Sequence, residues 1–246
     1  MIKTFSADLH IHTCLSPCAD LDMTPIKIVK RAVEQRLSMI AITDHNSLEN
    51  TQAVIRAARG TGLTVIAGVE ITSVEEAHIL GLFEDEGSVD SMQTLLDDKI
   101  LPGENDEDLF GLQVVANEKD EVERINNRLL IGATQLSLDQ IVAEIHKRQG
   151  LAIAAHIDRM SFSIPSQLGF IPPDLLLDGL EISKHTPISE AREEIPECKR
   201  FPVITSSDAH FLEEIGQCRT YFEAERAGFK ELRSALSGLE SLRLIG

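Results

Sequence analysis

The 246-residue sequence predicts an α/β fold in which helices cover a parallel sheet that curls into a barrel. Three observations carry this expectation. Short, nearly continuous apolar runs recur along the chain, stretches of helical periodicity separate them, and the ionisable residues gather where the apolar runs end. A strand covered on both faces has no solvent side to alternate with, so such a run is the signature of a buried parallel strand.

Taken in order, "DLHIHT" supplies the first strand, followed by "SMIAITD", "LTVIAGVEIT", "AHILGLF", "LAIAAHI", "DGLEIS" and "FPVITSSDAH". Each of these reads as parallel, although His78 stands at the start of its run, which leaves an antiparallel or offset placement open for "AHILGLF". Thr24 and Pro25 mark a helix start, and Ile26, Val29, Val33 and Leu37 then recur at helical spacing. Residues 47–59, 138–148 and 229–236 read as helices for the same reason.

One region breaks the alternation. The acidic stretch at about 84–136 is too long for an ordinary connection and reads as an insertion into a single domain spanning 1–246. It is expected to hold helices near 89–99 and 104–109 and a hairpin in "LQVVANEKDEVERI". A lid, a homo-oligomer contact or, the preferred reading, a solvated acidic decoration would each fit its composition.

Forty acidic against 23 basic residues leave a formal charge of −17, which predicts repulsion of a phosphate backbone and disfavours long nucleic acid as a partner. One tyrosine, nine phenylalanines and no tryptophan leave little surface for stacking several bases, which points to a small phosphorylated metabolite or nucleotide. No apolar run approaches the ~20 residues of a membrane span, and the first residues lack a signal-peptide layout. Four cysteines in such a chain then read as reduced thiols, and a soluble cytoplasmic protein without membrane contact is expected.

The ionisable residues carry the chemistry. His10 and His12 lie two apart and so share one face of the first strand. Asp44 and His45 end the second strand and Glu70 the third; His78 begins the next; His156, Glu181, Asp208 and His210 lie at later strand ends. In a parallel barrel those ends surround one mouth. Imidazoles mixed with carboxylates suit zinc, manganese or iron better than calcium or magnesium, and the set exceeds the three or four protein ligands that one ion takes. Two or three divalent ions are therefore expected.

The ordered motifs "DLHIHT", "AITDHN", "GVEIT", "AAHIDR" and "SSDAH" resemble the PHP family, named for polymerase and histidinol phosphatase. The resemblance implies a distorted (β/α)7 TIM-like barrel and a metal-dependent phosphoesterase, a hydrolase that uses a metal-activated hydroxide at a di- or trinuclear site. It implies that His10, His12 and Asp208 hold a first ion, that Glu70 bridges to a second completed by His78 and His156, and that His45 and His210 hold a third. The remaining ligand of the third ion is either Cys18 or Asp20, since relatives place it at one position or the other. This sequence also reads His156-Ile157 where the family usually has histidine–proline.

Around this set, Arg159 is a candidate phosphate clamp, and Lys184 and His185 are candidates for a second phosphate or for the leaving group. Asp8 and Asp44 sit beside ligand histidines and read as their orienters. A metal-dependent amidohydrolase, an iron–sulfur enzyme built on Cys14 and Cys18, and a catalytically silent binding or regulatory module are the competing classes. The strand-end Glu70 without a lysine, the lack of a third nearby cysteine, and the near-complete ligand set weigh against them in turn.

Overall fold

The computed structural model describes residues 1–238 and, as backbone, 244–245. The apolar runs form β1 (Lys3–Ile11), β2 (Met39–Ile42), β3 (Thr64–Thr72) and β4 (His78–Phe83), with α1 (Pro25–Glu34) and α2 (Thr51–Ala57) between the first three. The insertion holds α3 (Glu86–Lys99), α4 (Glu107–Phe110) and the hairpin β5 (Val114–Ala116) and β6 (Val122–Ile125). The remainder is α5 (Leu138–Lys147), β7 (Leu151–Ala154), α6 (Ile164–Leu168), β8 (Gly179–Ile182), α7 (Ile188–Glu194), β9 (Val203–Thr205), β10 (Thr220–Ala224), α8 (Phe229–Leu236) and β11 (Leu244–Ile245).

The main sheet runs β11-β10-β1-β2-β3-β4-β7-β8-β9 and curls into a nearly closed barrel. The seam closes on β1. Its first half pairs antiparallel with β10, from Lys3 opposite Ala224 to Ala7 opposite Thr220. Its second half meets the segment after β9, where the His12 amide donates to the Ala209 carbonyl and the Ala209 amide to the His10 carbonyl, at 3.0 and 3.2 Å. This is the distorted TIM-like α/β barrel expected, with two departures.

The first is β4, which is antiparallel to both β3 and β7. The parallel reading of "AHILGLF" is therefore corrected: only five residues, 73–77, separate β3 from β4, too few for a crossover and enough for a hairpin. The second is β10, which the sequence reading did not identify.

The helices pack as their spacing predicts. Ile28, Val29 and Ala32 of α1 and Val54 of α2 cover Ile40 and Ile42 of β2. Ile141, Val142 and Ile145 of α5 cover Ile79, Ala152 and Ala154. Ser137 and Gln140 form a reciprocal capping box at the start of α5.

The insertion is more than a solvated decoration. Asp120, in the β5–β6 turn, accepts from the Thr24 hydroxyl at 2.7 Å and the Ile26 amide at 2.8 Å, and so caps α1, whose own N-cap side chain makes no capping bond. Asn50 binds the hairpin through the Val114 carbonyl and the Ala116 amide, both at 2.9 Å. Asn46 donates to the carbonyls of Leu130 and Gly132 at 2.8 Å. Val114, Val115, Ala116 and Leu130 are buried, so the apolar residues within the acidic stretch dock it beside the mouth. No helix among the described residues is long and apolar enough to cross a membrane.

Candidate metal centre

All the strand-end groups singled out above except Asp44 face one mouth, and the antiparallel β4 explains the outlier. Because β4 runs backward against β3 in the register Thr72 opposite His78, its first residue lies beside the last residues of β3. The backbone bonds Asn46 amide to Glu70 carbonyl (2.9 Å) and Glu70 amide to Asp44 carbonyl (3.1 Å) bring the end of β2 alongside Glu70. Two ligand candidates turn off their strands at positive φ, His156 at 28° and Asp208 at 49°. Such a conformation costs a non-glycine residue roughly 1–3 kcal/mol and persists where the surroundings enforce it.

Hydrogen-bond partners assign the ring protons. Ser16 donates its hydroxyl to Asp44 Oδ1 at 2.6 Å, so its oxygen accepts from His12 Nδ1 at 2.9 Å. His10 Nδ1 faces the Glu181 carboxylate at 3.0 and 3.2 Å and donates to it. In neutral rings both Nε2 atoms are then bare lone pairs, yet they lie 3.2 Å apart. Asp208 Oδ1 is 3.3 Å from the first and 3.2 Å from the second, and Glu70 Oε2 is 3.4 Å from each. Four electron-pair donors pointed at one buried spot repel one another unless a cation lies among them.

The other Glu70 oxygen repeats the pattern. Oε1 is 2.7 Å from His78 Nδ1 and 3.0 Å from His156 Nε2. His45 Nδ1 is 3.2 Å from Oε2 but is not aligned for a hydrogen bond, and this buried nitrogen has no partner. At the outer edge, Cys18 Sγ is 3.0 Å from His210 Nε2, and His210 Nδ1 is 2.9 Å from the Asp208 carbonyl. Three groups therefore have donor atoms within 4.8 Å of one another: His10, His12 and Asp208; His45, Glu70 and His78; and His12, Cys18, His45 and His210. A divalent ion fits each by donor type.

The local field agrees with this division. Burial alone would lower His10 and His12, but the carboxylates of Glu181, Asp208 and Glu70 hold His10 well above its ordinary value, and hydrogen bonds and charge from Asp208 and Glu70 raise His12 to about 9. Burial would raise Glu70 and Asp208, yet the surrounding imidazoles hold both well below the ordinary carboxylate range. Burial pushes His45 well down, and burial with the charge of His12 lowers His210 to about 4, leaving both neutral as ligands must be. Cys18 is exposed at the mouth, but the atoms packed around its sulfur and the charges of Glu70 and Asp208 push the thiol up. A bound cation reverses that penalty on the thiolate.

Asp8 and Asp44 are not among the converging donors. Asp44 reaches His12 through Ser16 and also accepts from the Thr13 amide and hydroxyl at 2.6 and 2.7 Å. Asp8 accepts from the Ser207 amide and hydroxyl at 3.0 and 2.6 Å and from the Gly216 amide at 2.8 Å, which fixes the segment carrying Asp208. Asp20 is exposed, and its carboxylate accepts from the Asp22 amide at 2.7 Å, outside all three groups. Arg159 is brought to the site, with Nη2 2.7 Å from Asp208 Oδ2. Lys184 instead pairs with Glu214 at 2.6 Å, and it lines a different cavity together with the exposed His185. Sequence reasoning placed Glu181 at a strand end without a role; its strand-end carboxylate was the signal for the partner of His10. Ser16 and Phe162 carried no signal of their own.

The mouth encloses a cavity of about 220 Å³ whose wall includes Cys18, Ile131, Arg159 and Phe162 besides the histidines, so the insertion contributes to it through Ile131. A barrel that gathers six imidazoles, two carboxylates and a thiol around one mouth belongs to the class of metal-dependent hydrolases.

Within that class the chain belongs to the PHP family: the PHP domain model matches residues 8–172, and a PHP-associated model matches residues 195–238. The 5'-3' exoribonuclease Rnm of Salmonella typhimurium is 46% identical over 84 residues, covering 30% of this chain and 26% of that protein. The PolC-type DNA polymerase III of Caldanaerobacter subterraneus is 27% identical over 205 residues, covering 72% of this chain and 14% of the polymerase. This chain thus spans about a quarter, or less, of these relatives. The lesion-specific endonuclease PfuEndoQ of Pyrococcus furiosus shares the fold at a TM-score of 0.78 and 19% identity, over 98% of this chain and 58% of that one. Endonuclease Q also has a structure in complex with a 27-mer duplex bearing an abasic lesion at the active site.

These relatives correct the expected partner. Proteins named as nucleases point to nucleic acid as the substrate class, against the expectation of a small phosphorylated metabolite and of no long nucleic acid. The charge of −17 is a sum over the whole chain, whereas recognition depends on the field at the mouth, where Arg159 lines the cavity.

Proposed function

We propose that this chain hydrolyses phosphodiester bonds of nucleic acid at a centre of two or three divalent ions, with zinc, manganese or iron as the ions its donors suit. The observation that carries the reading is the ring of imidazole nitrogens around Glu70, one oxygen turned to His10 and His12 and the other to His78 and His156. His10, His12 and Asp208 would hold the first ion, Glu70 would be shared with a second completed by His78 and His156, and His45, His210 and Cys18 would hold a third. Divalent ions so placed supply Lewis acidity, which lowers the pKa of water and neutralises charge that develops on phosphoryl oxygens.

The chain's own residues do the rest. Glu181 and the Asp44–Ser16 pair fix the ring faces of His10 and His12. Arg159 orients Asp208 and, lining the cavity, offers its remaining donors to a phosphate. Lys184 and His185 have no role in this reading. No lysine lines the cavity among the described residues, and the group between the two sets of histidines is the Glu70 carboxylate, which weighs against the carboxylated-lysine bridge of an amidohydrolase. All four cysteines are free, which supports a reducing, cytoplasmic setting.

The test is cleavage of end-labelled RNA and DNA oligonucleotides by protein stripped with chelator and reloaded with manganese, zinc or iron. Metal-dependent cleavage is expected. Hydrolysis of cyclic amides with oligonucleotides left intact would overturn the reading, as would binding of oligonucleotides without cleavage under every metal.

Three substitutions test the ligand assignment. Cys18→Ala is expected to lose one ion per chain by elemental analysis and Asp20→Ala none, because only Cys18 lies within reach of His45 and His210. Glu181→Ala is expected to weaken metal binding about 10- to 100-fold in chelator competition, since His10 loses the acceptor that fixes its tautomer.

A further inference from the structure

We infer that Phe162 is the base-stacking wall of this site, holding the base of a nucleotide next to the bond that is cut. The inference rests on the nucleic-acid reading above and deepens it. Phe162 lies in the connection between β7 and α6 and lines the same cavity as Glu70, His78 and His156. One face of its ring is already occupied. It stacks on the His78 imidazole with centroids 4.8 Å apart and planes 16° apart, yet the residue remains 43% exposed.

The backbone presents the ring rigidly. The Phe162 carbonyl accepts from the His78 amide at 2.8 Å. On the next residue, the Ser163 hydroxyl donates to the Arg159 carbonyl at 2.7 Å and accepts from the Ser166 amide at 3.1 Å to cap α6. Phe162 itself sits at φ 56°, a left-handed conformation that glycine adopts freely and that costs an aromatic residue roughly 1–3 kcal/mol. The chain thus bears both backbone strain and exposed apolar surface at one residue.

Covering His78 does not account for that cost, because any apolar side chain could cover an imidazole. A flat ring parallel to it instead forms a slab that can receive a second flat ring. Aromatic residues are scarce in this sequence, and among the described residues Phe162 is the phenylalanine, tyrosine or tryptophan that lines the cavity. Arg159, three residues before it, lines the same cavity beside Asp208. One connection therefore offers a cation for a phosphate and an aromatic face for the adjoining base. Stacking of this kind accepts any base, because every base has a π-face.

The test uses the full chain loaded with metal and a set of dinucleotides carrying both bases, or an abasic residue on one side or the other of the single linkage. In the wild-type protein one of the two abasic replacements is expected to raise KM about tenfold, within the range that base stacking supplies. Phe162→Leu should raise KM about tenfold on the dinucleotide with both bases, add nothing on that abasic one, and leave kcat and the ion count unchanged. Phe162→Tyr should restore the wild-type KM. A wild-type protein that cleaves all three dinucleotides equally well overturns the stacking wall alone, as does an equal loss in Phe162→Leu on every substrate. A wild-type protein that cleaves end-labelled oligonucleotides but none of the dinucleotides also overturns the wall alone, and one that cleaves neither overturns the nucleic-acid reading, and the wall with it.

Discussion

Glu70→Gln is expected to lower metal-dependent cleavage by about a thousandfold or more and to release at least one ion per chain. Both Glu70 oxygens are committed: Oε1 to His78 and His156, and Oε2 to the space between His10, His12 and His45. Glutamine keeps the shape but removes the negative charge and replaces one lone-pair donor with an NH2 group. Whichever way the amide turns, two or more imidazoles then face a hydrogen-bond donor that cannot bind a cation. Losing one well-placed charge-stabilising group costs about 10² to 10³ in rate, and a carboxylate shared by two ions affects both. The same change removes a counter-charge from the buried, raised imidazoles of His10 and His12, so the metal-free variant should also lose stability, by about 3–5 kcal/mol. Elemental analysis, kcat/KM at saturating metal and chelated-protein melting measure the three effects. A variant with the wild-type ion count and rate would show that Glu70 is not shared.

Much of this architecture could be read from residue patterns, because a buried strand and a strand-end ligand leave local marks. The run "LAIAAHI" is apolar up to His156, and "FPVITSSDAH" is apolar up to Ile204 and then polar into Asp208, so each announces both a strand and a candidate site residue. Tertiary relations left no such mark. The direction of β4 depends on the length of the hairpin before it, and only that reversal brings His78 to the mouth. In β10, Thr220, Phe222 and Ala224 are buried while Tyr221 is exposed, a period-two signal too short to stand out from a loop. The choice between Cys18 and Asp20 turns on loop geometry: both follow His12 closely, but the loop points the thiol at His210 and leaves the carboxylate to cap its own turn. Phe162 was hidden more completely. Nothing in its neighbours marks it, and its significance lies in a positive φ and a stacked imidazole that exist only in three dimensions.

Metal uptake is expected to release protons and to weaken steeply in acid. The carboxylates that would hold the first ion hold a proton in its stead, keeping His12 near 9 and His10 well above the ordinary imidazole value, and a cation must displace what they hold. Each proton displaced lowers apparent affinity tenfold per pH unit below the group's pKa, so His12 alone predicts about a thousandfold loss between pH 9 and pH 6. His210, lowered to about 4, and His45, lowered well below its ordinary value, stay neutral over that range and impose no such loss at the outer position. The metal-free fold should move in the opposite direction. A histidine raised from 6.5 to about 9 on folding stabilises the protein fully below pH 6.5, and that contribution, about 3 kcal/mol, disappears as pH rises through 9. Asp8, raised by burial from 3.8 to about 6, also loses stabilisation as pH rises, but in the lower window between those values. From pH 6.5 to 9 the melting temperature of chelated protein should therefore fall while the stabilisation added by metal grows. Melting curves with and without chelator, together with proton release on metal addition in weak buffer, measure both sides of this linkage. A constant gap between the two sets of melting temperatures would mean that His12 carries no exchangeable proton at the position assigned to the first ion.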